Sequence, residues 1–138
     1  MTAPAILGTL ESALYADDLD AAERFYAGVL GLKVVTRQAG RHVFFRTGAS
    51  ILLVFDPRAT VHPPRPEAPI RVPPHGARGA GHYCFSVAAE ALDDWRRHLE
   101  AAGVAIEADF RWPNGARSIY VRDPAGNSVE FAEPALWA

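Results

Sequence analysis

Three side chains able to bind a divalent metal ion, Glu11, His82 and Glu130, stand at related places in this 138-residue sequence. Each lies in a short stretch that is predicted to form a β-strand, where alternate side chains point to opposite faces. One imidazole and two carboxylates suit Mn²⁺, Fe²⁺, Zn²⁺ or Ni²⁺. Three protein ligands would leave positions open for water or substrate, as in catalytic metal sites.

The segment 117–131 predicts a β-hairpin that carries Glu130. Two alternating stretches flank the turn 123–127, in which Pro fixes φ while Gly and Asn tolerate positive φ. The alternation places Tyr120 and Glu130 on one face and the aliphatic side chains on the other. A carboxylate in the middle of a sheet costs free energy unless it is solvated, paired or bound to a cation.

The chain repeats one strand–helix–three-strand unit, here called unit one (about 6–56) and unit two (about 81–133). Residues 57–80 hold seven of the 11 prolines and are predicted to be a linker without strand or helix. The expected fold class is α+β. It consists of one domain, 1–138, in which two βαβββ units form curved mixed sheets around a central site, with helices on the outer faces.

The repeat pairs positions of the two units. Glu11 in the first strand of unit one corresponds to His82 in the first strand of unit two. Leu52 and Glu130 are taken as the corresponding positions of the two last strands. If the polar faces of the units pack together, Glu11, His82 and Glu130 converge and Leu52 fills a fourth corner.

Composition excludes several classes of protein. The net charge is −2 and no basic block occurs, which disfavours nucleic acid as a partner. Cys84 is the only cysteine, so neither an internal disulfide nor a cysteine-built zinc site is available. No signal peptide and no apolar stretch long enough to cross a membrane is recognised, and a cytoplasmic protein is expected.

Three stretches carry a resemblance to a known family. LYADDLDAAERFYAGVLGLKVV (14–35), GAGHYCFSV (79–87) and YVRDPAGNSVEF (120–131) resemble the vicinal oxygen chelate superfamily of glyoxalases, bleomycin-resistance proteins and extradiol dioxygenases. The resemblance implies one divalent metal ion at Glu11, His82 and Glu130, and a homodimer. Leu52 departs from the glyoxalases, which usually place a carboxylate there, and Glu11 departs from the extradiol dioxygenases, which place a histidine there.

The resemblance also suggests roles around the metal. Tyr120 stands where extradiol dioxygenases carry an active-site tyrosine, and His42 occupies a position similar to their acid–base histidine. The loop 111–115 lacks the further histidine of those enzymes. Apolar or loop residues expected to line a substrate pocket are Phe44, Leu52, His75 and Trp112.

Three functions are compatible with this pattern. The first is a metal-dependent enzyme acting on a small vicinal-oxygen substrate, with extradiol-dioxygenase-like chemistry and His42 as the base. The second is a glyoxalase-type lyase or isomerase with Glu11 or Glu130 as the base. The third is a non-catalytic, small-molecule-binding protein like the bleomycin-resistance proteins. The linker is long enough for unit one to lie against unit two of a neighbouring chain, so a homodimer is expected.

Overall fold

Eight strands and three α-helices make up the computed structural model, which describes residues 2–138. The bounds in unit one are β1 Glu11–Tyr15, α1 Leu19–Glu23, β2 Lys33–Gln38, β3 His42–Thr47 and β4 Ser50–Phe55. A short helix, α2 Pro57–Thr60, follows. The bounds in unit two are β5 His82–Ser86, α3 Leu92–Ala101, β6 Ala108–Arg111, β7 Arg117–Arg122 and β8 Ser128–Ala132.

The strands form two four-stranded sheets with the same topology. The order is β1–β4–β3–β2 in unit one and β5–β8–β7–β6 in unit two. The first strand of each unit pairs in parallel with the last, and the remaining pairs are antiparallel. This arrangement confirms the α+β fold class with two βαβββ units.

Residues suited to helix ends bound the helical segment of unit one. Asp18 precedes α1 and its carboxylate accepts a hydrogen bond from the amide of Ala21 at 2.9 Å, which satisfies a free N–H group of the first turn. The helix continues as a π-helical stretch over Arg24–Val29 and ends at Gly31, whose φ of 77° is costly for any other residue. A 3₁₀ turn, Ala89–Ala91, leads into α3.

One hydrophobic core serves both units. Tyr26 of the first helical segment packs at 5.4 Å from Phe45 of its own sheet and at 6.4 Å from Phe85 of the other. Trp95 of α3 stacks on Phe131 at 5.0 Å. The apolar faces of the two sheets therefore share a core through the helices, and the polar faces lie on the opposite sides.

The structure corrects the sequence prediction at three places. Pro57–Thr60 of the predicted linker is a helical turn, because proline is tolerated at the first helical position and Asp56 caps it. A 3₁₀ turn at Pro134–Trp137 was not predicted. The sequence pattern predicts a strand from Val104 to Phe110, but β6 begins only at Ala108. No helix of residues 2–138 has the length and hydropathy to span a membrane.

A buried hydrogen-bond network joins the two units. The hydroxyl of Tyr26 donates to Asp123 at 2.7 Å, and the side-chain amide of Asn127 donates to Asp123 at 3.0 Å and to the carbonyl of Tyr15 at 3.1 Å. The amide of Gly81 donates to Asn127 Oδ1 at 2.8 Å. Burial and the Asp123 carboxylate raise the pKa of Tyr26 far above its usual value, so the phenol stays protonated.

A second polar cluster, half-exposed, ties α3 to the outer strands of unit two. Arg117 binds Asp109 through two bonds of 2.8 Å and Asp93 through one of 2.7 Å. Arg96 adds a bond of 2.7 Å to Asp109. The hydrogen bonds from Arg117, followed by those from Arg96, lower the pKa of Asp109 to about 2.

Asp109→Asn should lower the free energy of unfolding at neutral pH by about 2 kcal/mol, because the folded state favours the ionised carboxyl group. A depressed folded pKa contributes stability above the unfolded pKa near 3.9, and this stability is lost as the pH falls toward 2. Urea titrations of both proteins between pH 7 and pH 2 should therefore converge at low pH. Asp94→Asn, which removes only an exposed ion pair with Arg97, is the control and should change little at any pH. If the free energy of unfolding of Asp109→Asn stays below that of the wild type by the same amount at pH 2, this account is contradicted.

Candidate active site

His82 and Glu130 lie side by side on the polar face of unit two. His82 begins β5 and Glu130 is in the middle of the neighbouring β8, and the register pairs Cys84 directly with Glu130. His82 Nε2 is 3.2 Å from Glu130 Oε1; the imidazole is half-exposed and the carboxylate is buried. Two ligands bound about 2.0–2.2 Å from one ion stand roughly 3 Å apart, so this spacing fits a shared divalent cation.

The hydrogen bond of the other ring nitrogen of His82 also supports a cation between His82 and Glu130. His82 Nδ1 is 3.1 Å from the carbonyl oxygen of Ser128, and since a carbonyl only accepts, Nδ1 must carry a proton. Nε2 and Glu130 Oε1 would then present two lone pairs to each other unless a proton or a cation lies between them. A histidine that donates one N–H to a backbone carbonyl and offers its other nitrogen is the usual arrangement of a metal ligand.

Glu130 is oriented by a chain of hydrogen bonds that the sequence did not reveal. Ser118 donates to Glu130 Oε2 at 2.6 Å and accepts from the indole N–H of Trp112 at 2.8 Å. Trp112, predicted as a pocket residue, thus also fixes the carboxylate through Ser118. The only signal in the sequence was that Ser118 and Glu130 share a face of the hairpin.

A cavity of about 550 Å³ adjoins this pair and is lined entirely by unit two and the C-terminal turn. Its walls include Tyr120, Trp112 and Trp137, with Cys84 beside Glu130. Burial and the Glu130 carboxylate raise the pKa of Tyr120 to about 12 and that of Cys84 to about 12. Both groups are neutral at physiological pH, so Tyr120 is available as a hydrogen-bond donor and Cys84 is a poor nucleophile.

His42 lies elsewhere, on the polar face of unit one. Its ring stacks on Phe44 with centroids 4.0 Å apart, and Arg41 Nη1 is 2.6 Å from His42 Nδ1. Because a guanidinium only donates, Nδ1 accepts and the neutral ring carries its proton on Nε2. Burial, followed by the charge of Arg41, lowers the pKa of His42. This tautomer offers a donor rather than a free base.

Two other predicted pocket residues, Phe44 of unit one and His75 of the linker, belong to an aromatic cluster around Phe55. His75 packs edge-on to Phe55 at 4.7 Å, and its Nδ1 is 2.7 Å from the hydroxyl of Tyr15. Phe44 packs edge-on to Phe55, with the ring centroids 5.3 Å apart. Phe44 and His75 therefore belong with His42 on one surface, separate from the residues that line the cavity beside Glu130.

The assignment of Leu52 to the site is wrong by one residue. Leu52 is completely buried in the hydrophobic core, and its neighbour in β1 is Ser12. Leu53 pairs with Phe44 and so lies on the polar face, at the position that corresponds to Glu130 in the second sheet. Leu53 is therefore the fourth position of the repeat.

Glu11 does not meet His82 and Glu130 within one chain. It begins β1, is exposed, and pairs in register with Ile51. In the part of the chain that the structure describes, no three His, Cys, Asp or Glu side chains come together as a metal site. The expectation that the polar faces of the two units pack together is thus not met within a single chain, since the apolar faces and helices make that contact.

Two βαβββ units, each a four-stranded sheet whose first strand pairs in parallel with its last, form the arrangement of the glyoxalase-like fold. The chain matches the family model of the Glyoxalase/Bleomycin resistance protein/Dioxygenase superfamily over residues 7–131 and belongs to this family.

Comparison with individual proteins gives closer relatives. The crystal structure of a lactoylglutathione lyase from Agrobacterium tumefaciens is 48% identical, with a TM-score of 0.90 over 96% of this chain and 98% of that chain. An uncharacterized protein of Pseudomonas aeruginosa is 33% identical over 124 residues, 87% of this chain and 84% of that protein. A fosfomycin resistance protein from Listeria monocytogenes shares the fold at 16% identity, with a TM-score of 0.69 over 93% of this chain and 91% of that chain.

Proposed function

We propose that the protein is a glyoxalase-type lyase or isomerase that acts on a hemithioacetal. The arrangement of His82 and Glu130 carries the proposal, because their facing lone pairs require a proton or a cation between them. The likeness to the lactoylglutathione lyase supports this reaction over the alternatives. Members of the family generally use a divalent metal ion, and the donor set fits one.

We assign the metal to His82 and Glu130 of one chain with Glu11 from a second copy. Glu11 stands apart from the other two in its own chain, and the residues directly before it are uncovered apolar side chains. Ile6, Leu7 and Leu10 are 90%, 101% and 77% exposed. Apolar side chains exposed to this degree mark a contact surface, which supports a homodimer in which each site takes one carboxylate from the partner.

The chemistry follows from the residues around Glu130. A bound divalent ion would act as a Lewis acid toward the two neighbouring oxygens of the substrate. Glu130, held by Ser118, is the base that removes a proton from one carbon and returns it to the adjacent carbon, which converts the hemithioacetal into a thioester of a hydroxy acid. Tyr120 donates a hydrogen bond to the substrate oxygen that gains negative charge in the reaction. Trp112 and Trp137 cover the apolar part of the substrate.

The contacts of His42 give less support to the dioxygenase hypothesis, which needs this residue as its base. His42 lies on the sheet of unit one, and its Nδ1 is occupied by Arg41. Tyr120 lies beside Glu130, as a dioxygenase site requires, but in the glyoxalase-type reaction Glu130 itself can be the base, so no histidine is needed for the proton transfer.

The experiment is a turnover assay on protein loaded separately with Ni²⁺, Zn²⁺, Mn²⁺ or Fe²⁺. We expect thioester formation from the hemithioacetal of methylglyoxal and glutathione, and no oxygen consumption with catechol. Glu130→Gln should lower kcat about 10²–10⁴-fold, whereas His42→Ala and the surface control Glu100→Gln should retain most activity. Oxygen uptake with catechol would restore the dioxygenase hypothesis, and ligand binding without turnover on any metal would leave a binding protein.

A further inference from the structure

A second cavity, outside the candidate active site, lies between α2 and the folded-back linker. Its volume is about 400 Å³, and it is lined by Arg41, Thr60, His62 and His75 together with apolar linker side chains. The amide of His75 donates to the carbonyl of Thr60 at 2.9 Å, which holds the linker against α2. We call this space the linker cavity.

The electrostatics of the linker cavity favour an anion. No acidic side chain lines it. Arg41 forms no ion pair with a carboxylate anywhere in residues 2–138. Its guanidinium instead lies 5.4 Å from the centre of the Phe55 ring and bonds to the imidazole of His42, both neutral groups. A half-buried guanidinium with free donors and no counter-ion is suited to bind a carboxylate.

Thr60 supplies an independent observation. Its side-chain oxygen is buried, and it is the single such atom in the described residues for which no hydrogen-bond partner is found; the residue is 5% exposed. Buried hydroxyl groups without a partner are rare, because desolvation of the group is then uncompensated. Thr60 lines the linker cavity, and rotation of its side chain about χ1 toward the cavity would give the hydroxyl a ligand as its partner.

Part of the wall of the linker cavity is apolar. Ile70 and Val72 are 79% and 49% exposed, and Pro64 and Pro73 stand beside them. Exposed aliphatic side chains next to a cationic group match a molecule that has a charged end and a short hydrocarbon body.

We propose that the linker cavity is a binding site for a small aliphatic carboxylate. Arg41 and the Thr60 hydroxyl donate hydrogen bonds to the carboxylate group, and Ile70 with Val72 covers the hydrocarbon chain. This site is formed by unit one and the linker of one chain, and it shares no lining residue with the cavity beside Glu130.

The test uses hexanoate as the probe and hexan-1-ol as its uncharged counterpart, followed by NMR of the five histidine rings at fixed pH. We expect saturable shifts at His62 and His75 with hexanoate and none with hexan-1-ol. Arg41→Gln should weaken binding at least about tenfold through loss of a charged hydrogen bond. The matched control is Arg71→Gln, because Arg71 lies in the same linker but bonds to the carbonyl of Pro66.

Thr60→Val separates a ligand-binding role from a structural one. Removal of an unpartnered hydroxyl should leave Tm without ligand unchanged or higher, and should weaken hexanoate binding several-fold. The proposal is overturned if Arg41→Gln binds hexanoate like the wild type, if hexan-1-ol binds equally well, if the shifts appear at His82 instead, or if no saturable shift is found. A fall in Tm for Thr60→Val without ligand would show that the hydroxyl already has a structural partner.

Discussion

His82→Ala is expected to lower the affinity for a divalent ion by more than about 100-fold. Loss of a group that merely orients a metal ligand costs 10–100-fold, and His82 would be the ligand itself. The variant removes the imidazole that lies 3.2 Å from Glu130 and leaves only carboxylates for the ion, Glu130 and Glu11 of the second copy. Metal content after dialysis, and competition titration with a chelator, measure the effect.

The matched control is His98→Ala, since His98 is an exposed histidine whose Nε2 lies 2.6 Å from the carbonyl of Val29 and far from the strands of the site. It should bind metal like the wild type. Undiminished metal content in His82→Ala would reject the assignment of His82 as a ligand.

Mixing two inactive variants tests where Glu11 acts. If Glu11 reaches His82 of another chain, a heterodimer of Glu11→Ala with His82→Ala contains one intact site and regains part of the activity. If the mixture stays inactive although light scattering shows exchanged dimers, the site does not take Glu11 from the partner. A monomer at micromolar concentration would likewise reject the cross-chain arrangement.

Asp123→Ala should lower the free energy of unfolding by about 3–5 kcal/mol, the largest effect on stability that we expect from one substitution. Asp123 is 5% exposed and accepts hydrogen bonds from the side chains of Tyr26 and Asn127 and from the amides of Ala125 and Asn127. Its removal leaves the donors of Tyr26 and Asn127 buried without this acceptor, and each unsatisfied donor costs about 1–3 kcal/mol. Urea denaturation monitored by tryptophan fluorescence measures the change.

A graded series separates the hydrogen bonds from the volume of the side chain. Tyr26→Phe removes one bond to a carboxylate and should cost about 1.5–3 kcal/mol. Tyr83→Phe is its control, because no hydrogen bond of the Tyr83 hydroxyl is found in residues 2–138. Equal losses for Tyr26→Phe and Tyr83→Phe would contradict a special role for the Asp123 network.

Much of the fold was predictable because polar and apolar residues alternate clearly in most strands of each unit. The hairpin, both helices and the repeat follow from periodicity and from the turn residues around Gly126, whose φ is 88°. The pairing of His82 with Glu130 also followed, since both lie on strands that carry polar residues on one face only.

The error at Leu52 has a physical cause. Residues 51–55 are all apolar, so no alternation indicates which of them faces the core. Both faces of β4 are covered, one by the core and the other by the cluster around Phe55. A strand with this pattern can be shifted by one residue without any conflict in the sequence, and only the pairing of Leu53 with Phe44 decides the register.

The separation of Glu11 from His82 could not be predicted either. Strand parity states which face a residue occupies, but not how two sheets of one chain are placed relative to each other. The chain Trp112–Ser118–Glu130 was missed for a similar reason, since it depends on side-chain geometry between a loop and two strands.

The network around Asp123 also determines how the duplicated chain responds to local opening. Repeats that touch only through neighbouring surfaces can unfold one at a time. Here Tyr15 and Tyr26 of unit one share bonds with Asn127 and Asp123 of unit two, so neither half can open without breaking buried bonds of the other. The amide hydrogens of Asn127 and Gly81 then exchange with solvent only when the whole molecule unfolds, and the two halves form a single cooperative unit.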